Sequence, residues 1–329
     1  MALWKAVPES WRGNGKSADE DPRQNRKGLL VESKIYRVLI TGANSYIGTS
    51  FENWIKENCR DVITKTIDLH KDSWRKENFS GYDAVFHVAG IAHADVSGVT
   101  EEQKALYYQV NTELTVQCAE KARADGVGQF IFMSSMIVYG ESAGIGTARM
   151  ITRDTAAAPA NFYGDSKLRA EEKLLKLETE KFRIVILRPP MIYGRGSKGN
   201  YPLLAKMAVK LPVFPKIYNQ RSMLYVENLC RFVYLMVRNQ ERGIFFPQNS
   251  EYVCTSDMVK EIATVRGRRI HLWRGFNPFL RLAGHLGGRI GGLANKAFGN
   301  MTYEKTMSEY KEEYRIYDFR ESVRRTERE

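Results

Sequence analysis

Tyr163 and Lys167 stand four residues apart in Tyr163-Gly-Asp-Ser-Lys167, and on a helix that spacing puts two side chains on one face. An ammonium beside a phenol favours the phenolate and lowers its pKa from about 10 toward working pH. Tyr163 is therefore a candidate general acid or base. Ser135 follows the apolar run Phe130–Ser134 and is placed to hydrogen-bond the same substrate oxygen. A Y-x-x-x-K pair also occurs on ordinary helix surfaces, so its weight comes from what precedes it in the chain.

What precedes it is Thr41-Gly-Ala-Asn-Ser-Tyr-Ile-Gly48, after one apolar run and before a helical stretch that begins near Thr49. Gly42 and Gly48 allow a tight turn and close helix packing, so that the helix amides face a dinucleotide pyrophosphate. The middle glycine of the usual G-x-x-G-x-x-G spacing is here Ser45. That change narrows the space for pyrophosphate unless the serine hydroxyl donates to it. Asp68, twenty residues beyond Gly48, ends a second apolar run, where a carboxylate accepts from both adenosine ribose hydroxyls. The same charge repels a 2′-phosphate and favours NAD, while nearby Lys71 keeps NADP open. His87 lies inside an apolar run and reads as packing. His93, in Gly90-Ile-Ala-His93, is a candidate substrate contact or a structural histidine. The five histidines show no ligand spacing, so no metal is expected.

These residues need a scaffold, and the chain alternates short β-branched or aromatic runs with longer helical ones from Ile35 onward. That is the pattern of a parallel sheet covered on both faces. Ile35–Thr41, Val62–Ile67, Ala84–Val88, Phe130–Ser134 and Ile184–Arg188 read as buried strands. Glu101–Asp125 and Asp165–Glu180 read as crossover helices, the first with Leu106, Val110 and Leu114 on one face. The expected fold class is α/β: a Rossmann-type doubly wound parallel sheet with a smaller C-terminal substrate lobe. Residues 1–33 form an extension dispensable for the chemistry, 34–188 the dinucleotide-binding domain, and 189–329 the lobe, with some segments returning to the first domain.

A chain of 329 residues with 43% hydrophobic content can bury a full core. Its formal charge of +12 favours anionic partners, which include nucleic acid, an anionic membrane surface and a phosphorylated small molecule. No nucleic-acid recognition motif accompanies the charge. Cys59, Cys118, Cys230 and Cys254 form no C-x-x-C pair, which suggests neither a disulfide framework nor a zinc site and suits a reducing cytoplasm. Phe276 to Phe298 is apolar but interrupted by Arg281, His285, Arg289 and Lys296, so it reads as a packed or surface-lying helix, with no membrane span.

The ordered set of motifs resembles the NAD-dependent epimerase/dehydratase family, the extended short-chain dehydrogenases that modify nucleotide sugars. It includes Asp83-Ala-Val-Phe-His-Val-Ala-Gly90, Phe132-Met-Ser-Ser-Met-Ile-Val-Tyr-Gly140 and Leu187-Arg-Pro-Pro-Met-Ile-Tyr-Gly194, besides the glycine turn and the Tyr163 motif. The resemblance spans about Ile35 to Glu321. It implies that Gly42, Ser45, Tyr46, Ile47 and Gly48 hold the cofactor with Asp68, and that Val88, Ala89 and Gly90 line it. It further implies that Asn111 steadies the lysine, Tyr163 exchanges the proton, Lys167 holds the nicotinamide ribose and Ser135 polarises the sugar oxygen. Asn200 and Arg221 fall where members grip the substrate diphosphate; a structural salt bridge is the other reading of Arg221. Many members carry a substrate asparagine where this chain has Met191.

The family's 4,6-dehydratases place Asp-Glu directly after the serine or threonine, and here those positions are Met136 and Ile137. A thioether and an alkane cannot remove water as acid and base, so dehydration is not expected. The resemblance then implies an NAD-dependent 4-epimerase acting on a UDP-hexose, or a UDP-4-ketosugar reductase of surface-polysaccharide synthesis. A non-catalytic NAD(P)-binding protein is disfavoured because tyrosine and lysine are both present. Helices like Glu101–Asp125 and Asp165–Glu180 form four-helix contacts in relatives, which implies a homodimer.

Overall fold

A computed structural model describes residues 34–92, 99–285 and 288–328. The strands are β1 (Tyr36–Thr41), β2 (Val62–Ile67), β3 (Ala84–His87), β4 (Gln129–Met133), β5 (Met150–Ile151), β6 (Arg183–Leu187), β7 (Met191–Tyr193), β8 (Val213–Pro215), β9 (Met223–Tyr225), β10 (Gly243–Phe245), β11 (His271–Trp273) and β12 (Thr302–Tyr303). The α-helices are α1 (Tyr46–Asn58), α2 (Glu101–Tyr108), α3 (Thr115–Ala124), α4 (Phe162–Leu175), α5 (Asn200–Lys210), α6 (Val226–Arg238), α7 (Thr255–Val265), α8 (Asn277–His285), α9 (Gly288–Phe298) and α10 (Phe319–Glu327).

Alternate residues of the central strands enter two different cores because successive side chains point to opposite sheet faces. Val38, Ile40, Phe86 and Ile131 pack with α1 and α6 on one face, and Leu39, Val85, Phe130 and Phe132 pack with α3 and α4 on the other. Each such side chain contributes about 1.5–3 kcal/mol when fully buried. The sheet is parallel throughout, in the order β10-β6-β4-β3-β1-β2. The order reverses direction between β1 and β3, the crevice where open α/β sheets bind ligands.

Several elements differ from the expectation. Strand β2 is an edge strand rather than a doubly buried one: Ile63 is exposed and Lys65 reaches Glu77 at 3.2 Å. The helix expected over Glu101–Asp125 is interrupted by a π turn at Gln109–Leu114. Helix α4 starts at Phe162, earlier than Asp165, because the Asn161 side chain caps it by accepting from Gly164 N at 3.1 Å. Strand β10, not among the expected strands, pairs with β6, Gly243 opposite Val185. The stretch Phe276–Phe298 carries two helices, α8 and α9, instead of one. The extension assigned to residues 1–33 and the candidate His93 lie outside the described residues.

Candidate active site

Strand β1 runs straight into the glycine turn. Gly42 has φ +102°, and a Cβ there would lie 2.8 Å from the backbone nitrogen of Ala89, so a side chain meets both a strained conformation and a backbone wall. Asn44 also adopts positive φ, +61°, a conformation asparagine tolerates better than most residues. Ser45 then caps α1, its hydroxyl oxygen accepting from Gly48 N at 3.2 Å while Thr49 N donates to its carbonyl at 3.0 Å. The serine that replaces the middle glycine is thus a helix cap, and its own hydroxyl proton remains available. Of the first helical amides, Gly48 is committed to the cap; those of Tyr46 and Ile47 have no partner within the helix.

The Tyr46 side chain turns away from this turn. Its hydroxyl is buried against Gly194, where an added Cβ would stand 2.6 Å from it, and it has no hydrogen-bond partner among the described residues. Burial pushes its pKa up. Tyr46 can offer a cofactor its amide but not its phenol. Asp68 lies one residue beyond β2, beside Gly42, whose N–H donates to the Ile67 carbonyl at 3.1 Å. Its Oδ1 accepts from His70 N at 3.0 Å and meets His70 Nδ1 at 2.6 Å. Those bonds hold the carboxyl below its usual range.

The reactive side chains converge at the carboxyl ends of β3 and β4. Val88 N donates to Thr41 O at 3.2 Å, Ala89 crosses Gly42, and Gly90 abuts the lysine: a Cβ on Gly90 would sit 3.0 Å from Asn111 Oδ1 and 3.2 Å from Lys167 Nζ. Ser135 leaves β4 and caps the short 3-10 turn Met136–Tyr139, accepting from Ile137 N at 3.3 Å. Tyr163 lies in the first turn of α4, close enough to Ser135 for the serine hydroxyl to favour its phenolate. Lys167, one turn later, is 5% exposed and donates to Met133 O at 3.0 Å. Its ammonium lies 4.7 Å from the centre of the Phe132 ring.

The expected activation of the phenol by the ammonium is not present in this arrangement. Burial, with Tyr107 adding to it, raises Tyr163 to about 12 against the opposing influence of the Ser135 hydroxyl. Lys167 is turned to the Met133 carbonyl and does not act on the phenol. Burial in turn lowers Lys167 to about 8, partly offset by the negative charge of Glu171.

Behind the site lies a web of polar contacts, of which the sequence suggested only Asn111. Asn111, inside the π turn, accepts from Ile91 N at 2.8 Å and donates to Ile91 O at 3.0 Å and Ser166 Oγ at 3.1 Å. It thereby ties the loop after β3 to the helix that carries the lysine. His87 is fully buried between Thr41 Oγ1 at 2.8 Å and Thr115 Oγ1 at 3.0 Å. Thr115 donates to Asn111 O, so it accepts from His87 Nε2–H, and His87 Nδ1 accepts from Thr41. Burial, with Lys167 adding to it, lowers His87 to about 3. One turn after Lys167, Glu171 binds Arg188 through contacts of 2.5 and 3.1 Å and also accepts from Ser134. Arg188 donates to Tyr139 Oη at 2.6 Å.

Two further substrate candidates, Asn200 and Arg221, lie in the C-terminal half of the chain. Asn200 is the first residue of α5, directly after Gly199 at φ +92°. Arg221 donates through Nη1 to Lys296 O at 2.9 Å and Gly299 O at 3.3 Å, the carboxyl end of α9, instead of forming a salt bridge. Met191 packs against the core from β7. Among the described residues no group of three or more His, Cys, Asp or Glu could hold a metal.

The sequence pattern of the NAD dependent epimerase/dehydratase family matches residues 38–246. A UDP-glucose 4-epimerase of Vibrio cholerae is 29% identical over 69% of this chain and 74% of its own length. An N-acetyl-α-D-glucosaminyl-diphospho-ditrans,octacis-undecaprenol 4-epimerase of Escherichia coli O157:H7 is 30% identical over 63% of this chain and 64% of its own. Among solved structures, RMD from Pseudomonas aeruginosa complexed with NADPH superposes with a TM-score of 0.68 at 15% identity, over 88% of this chain and 98% of that one. A UDP-glucuronic acid 4-epimerase of Bacillus cereus in complex with NAD gives 0.64 at 16% identity, over 88% and 96%. With its glycine turn, its serine, tyrosine and lysine in family order and a family match over more than half its length, this chain belongs to the NAD dependent epimerase/dehydratase family.

Proposed function

We propose that this enzyme inverts carbon 4 of a UDP-hexose by withdrawing a hydride and returning it to the opposite face. The observation that carries the reading is the meeting of Ser135, Tyr163, Lys167 and Gly90 beside the turn at Gly42. The residues fit a dinucleotide: Gly42 and Gly90 let the glycine turn, the loop after β3 and Lys167 close together where a Cβ would collide, and α1 presents two uncommitted amides. NAD, when bound, supplies the hydride acceptor and donor.

The chain's own side chains supply the rest. Asp68, held ionised by His70, accepts from ribose hydroxyls and disfavours a 2′-phosphate. Tyr163 takes the proton from the sugar hydroxyl during oxidation and gives it back during reduction. Ser135 donates to the same oxygen. Lys167, protonated below about pH 8, gives the crevice a buried positive charge that favours a phenolate at Tyr163 once it leaves the Met133 carbonyl. Arg221 and Asn200 hold the diphosphate, and the chain forms a homodimer through α2, α3 and α4, where Leu106 and Leu175 are exposed. The relatives named as 4-epimerases support the epimerase, whereas a likeness to structures titled dTDP-4-dehydrorhamnose reductase keeps a 4-ketosugar reductase as the competing outcome.

The test is to purify the protein, measure retained NAD(H) by mass and absorbance, and incubate it with a panel of UDP-hexoses. Retained cofactor and a carbon-4 epimer are expected. A protein that holds no nicotinamide and turns over none of the panel, with or without added NAD, contradicts the reading.

A further inference from the structure

The positive charge of the chain is unevenly distributed. Residues 181–226 and 262–303 together contain sixteen Lys and Arg and no Asp or Glu, so the rest of the molecule is net acidic by four. These two segments are joined in space: β8 pairs with β11 in parallel, His271 opposite Val213. Within that basic region runs an apolar stripe at three-residue steps, Trp273, Phe276, Phe279 and Leu282, exposed by 57%, 36%, 73% and 63%. A 3-10 turn over Arg274–Phe276 passes into α8, which keeps residues three apart on one side.

The outward direction of this stripe is set by the opposite face of α8. Leu280 packs against the core, and a Cβ on Gly284 would lie 3.4 Å from Ile145, so that side is seated. Tyr218 adds a further exposed ring, on the loop that Lys216 ties down by donating N–H to Trp273 O at 3.0 Å and accepting from Asn277 at 2.9 Å. Lys216, Arg274 and Arg281 are all exposed around it.

We propose that this face of the molecule, formed by β11 and α8, docks on an anionic lipid bilayer. Phe279 and Leu282 enter the acyl boundary, the Trp273 and Tyr218 rings lie at headgroup depth, and Lys216, Arg274 and Arg281 meet lipid phosphates. Charge decides against a second copy of the chain as the occupant. A two-fold contact sets a patch against itself, and here that places cations on cations with no acid from either segment to receive them. Among the described residues no helix is long and apolar enough to cross a membrane, so docking is peripheral. Arg221 is bonded to the carboxyl end of α9, the next helix in the chain after α8.

The test is flotation of the full chain with vesicles of phosphatidylcholine alone and of equal phosphatidylcholine and phosphatidylglycerol, at low and high salt. The wild type should float with the anionic vesicles at least tenfold more than with neutral ones, and lose most of this at high salt. Phe279→Ser with Leu282→Ser, and separately Arg274→Glu with Arg281→Glu, should each lower binding at least tenfold while Tm and turnover of free substrate stay at wild-type values. Either pair of substitutions suffices if the other fails to fold. Absence of flotation by the wild type overturns the proposal, as does equal flotation by both folded variants. A dimer that the apolar variant converts to monomer, with no vesicle binding by the wild type, would assign the stripe to self-association instead.

Discussion

Replacing Glu171 by glutamine tests the polar web behind the lysine. Glu171 is 1% exposed and binds the guanidinium of Arg188, itself 8% exposed, while also accepting from Ser134. Glutamine keeps the volume but leaves Arg188 as an uncompensated buried cation. Breaking a buried pair by removing one partner costs about 3–5 kcal/mol, which in a unit of this size lowers Tm by roughly 5–8 °C. The same carboxylate raises the pKa of Lys167 against the larger lowering effect of burial, which brings it to about 8. Without it the ammonium loses its proton at lower pH, so the alkaline limb of kcat/KM moves acidward. Differential scanning fluorimetry and a pH profile measure both effects. The paired variant Glu171→Met with Arg188→Met leaves no lone charge and should recover most of the lost stability. A Tm change under about 2 °C for Glu171→Gln, with an unmoved alkaline limb, would refute this account of the pair.

Tyr163→Phe should leave folding and NAD binding nearly intact and lower turnover on the order of a hundredfold or more, since one hydroxyl carries the proton transfer; comparable turnover removes Tyr163 from the mechanism. Gly90→Ala places a methyl 3.0 Å from Asn111 Oδ1 and 3.2 Å from Lys167 Nζ, and overpacking of about 1–3 kcal/mol should appear mainly as weaker NAD binding by titration calorimetry. Acid stability reports His87, whose pKa is about 3 in the fold against 6.5 ordinarily. The unfolded chain gains a proton that the folded one refuses, so this contribution is intact above pH 6.5 and is lost toward pH 3, at up to about 1.4 kcal/mol per pH unit. His87→Gln should flatten that part of a urea-unfolding profile measured against pH, and an unchanged slope would show that His87 does not govern it.

The parts of the site legible in the sequence were those set by local spacing. Gly42 needs positive φ, Tyr163 and Lys167 share a helix face, and Val88-Ala89-Gly90 ends a buried strand, so each announced its place. Strand β10 did not, because Gly243-Ile-Phe245 is too short to stand out from an irregular stretch. The π turn at Gln109–Leu114 was hidden because apolar residues at four-residue steps suit an unbroken helix. The buried pair was half visible: Arg188 is a charge ending an apolar run and Glu171 lies one turn after Lys167, but only the fold brings them together. The raised pKa of Tyr163 was hidden for a related reason. Spacing puts an ammonium near the phenol, yet the Met133 carbonyl, distant in sequence, holds that ammonium. Likewise Tyr46 belongs to the glycine-turn motif but spends its side chain on the contact with Gly194.

The central claim, that a hydride leaves carbon 4 and returns to it, is tested most directly by cofactor accounting. The purified enzyme is incubated with UDP-glucose or UDP-N-acetylglucosamine and catalytic NAD while products and the absorbance of reduced nicotinamide are followed together. Epimerisation predicts the carbon-4 epimer accumulating to equilibrium with no net change in that absorbance. Stoichiometric consumption of NAD(P)H with a UDP-4-keto sugar, and no epimer from either hydroxyl sugar, would contradict it and establish the reductase.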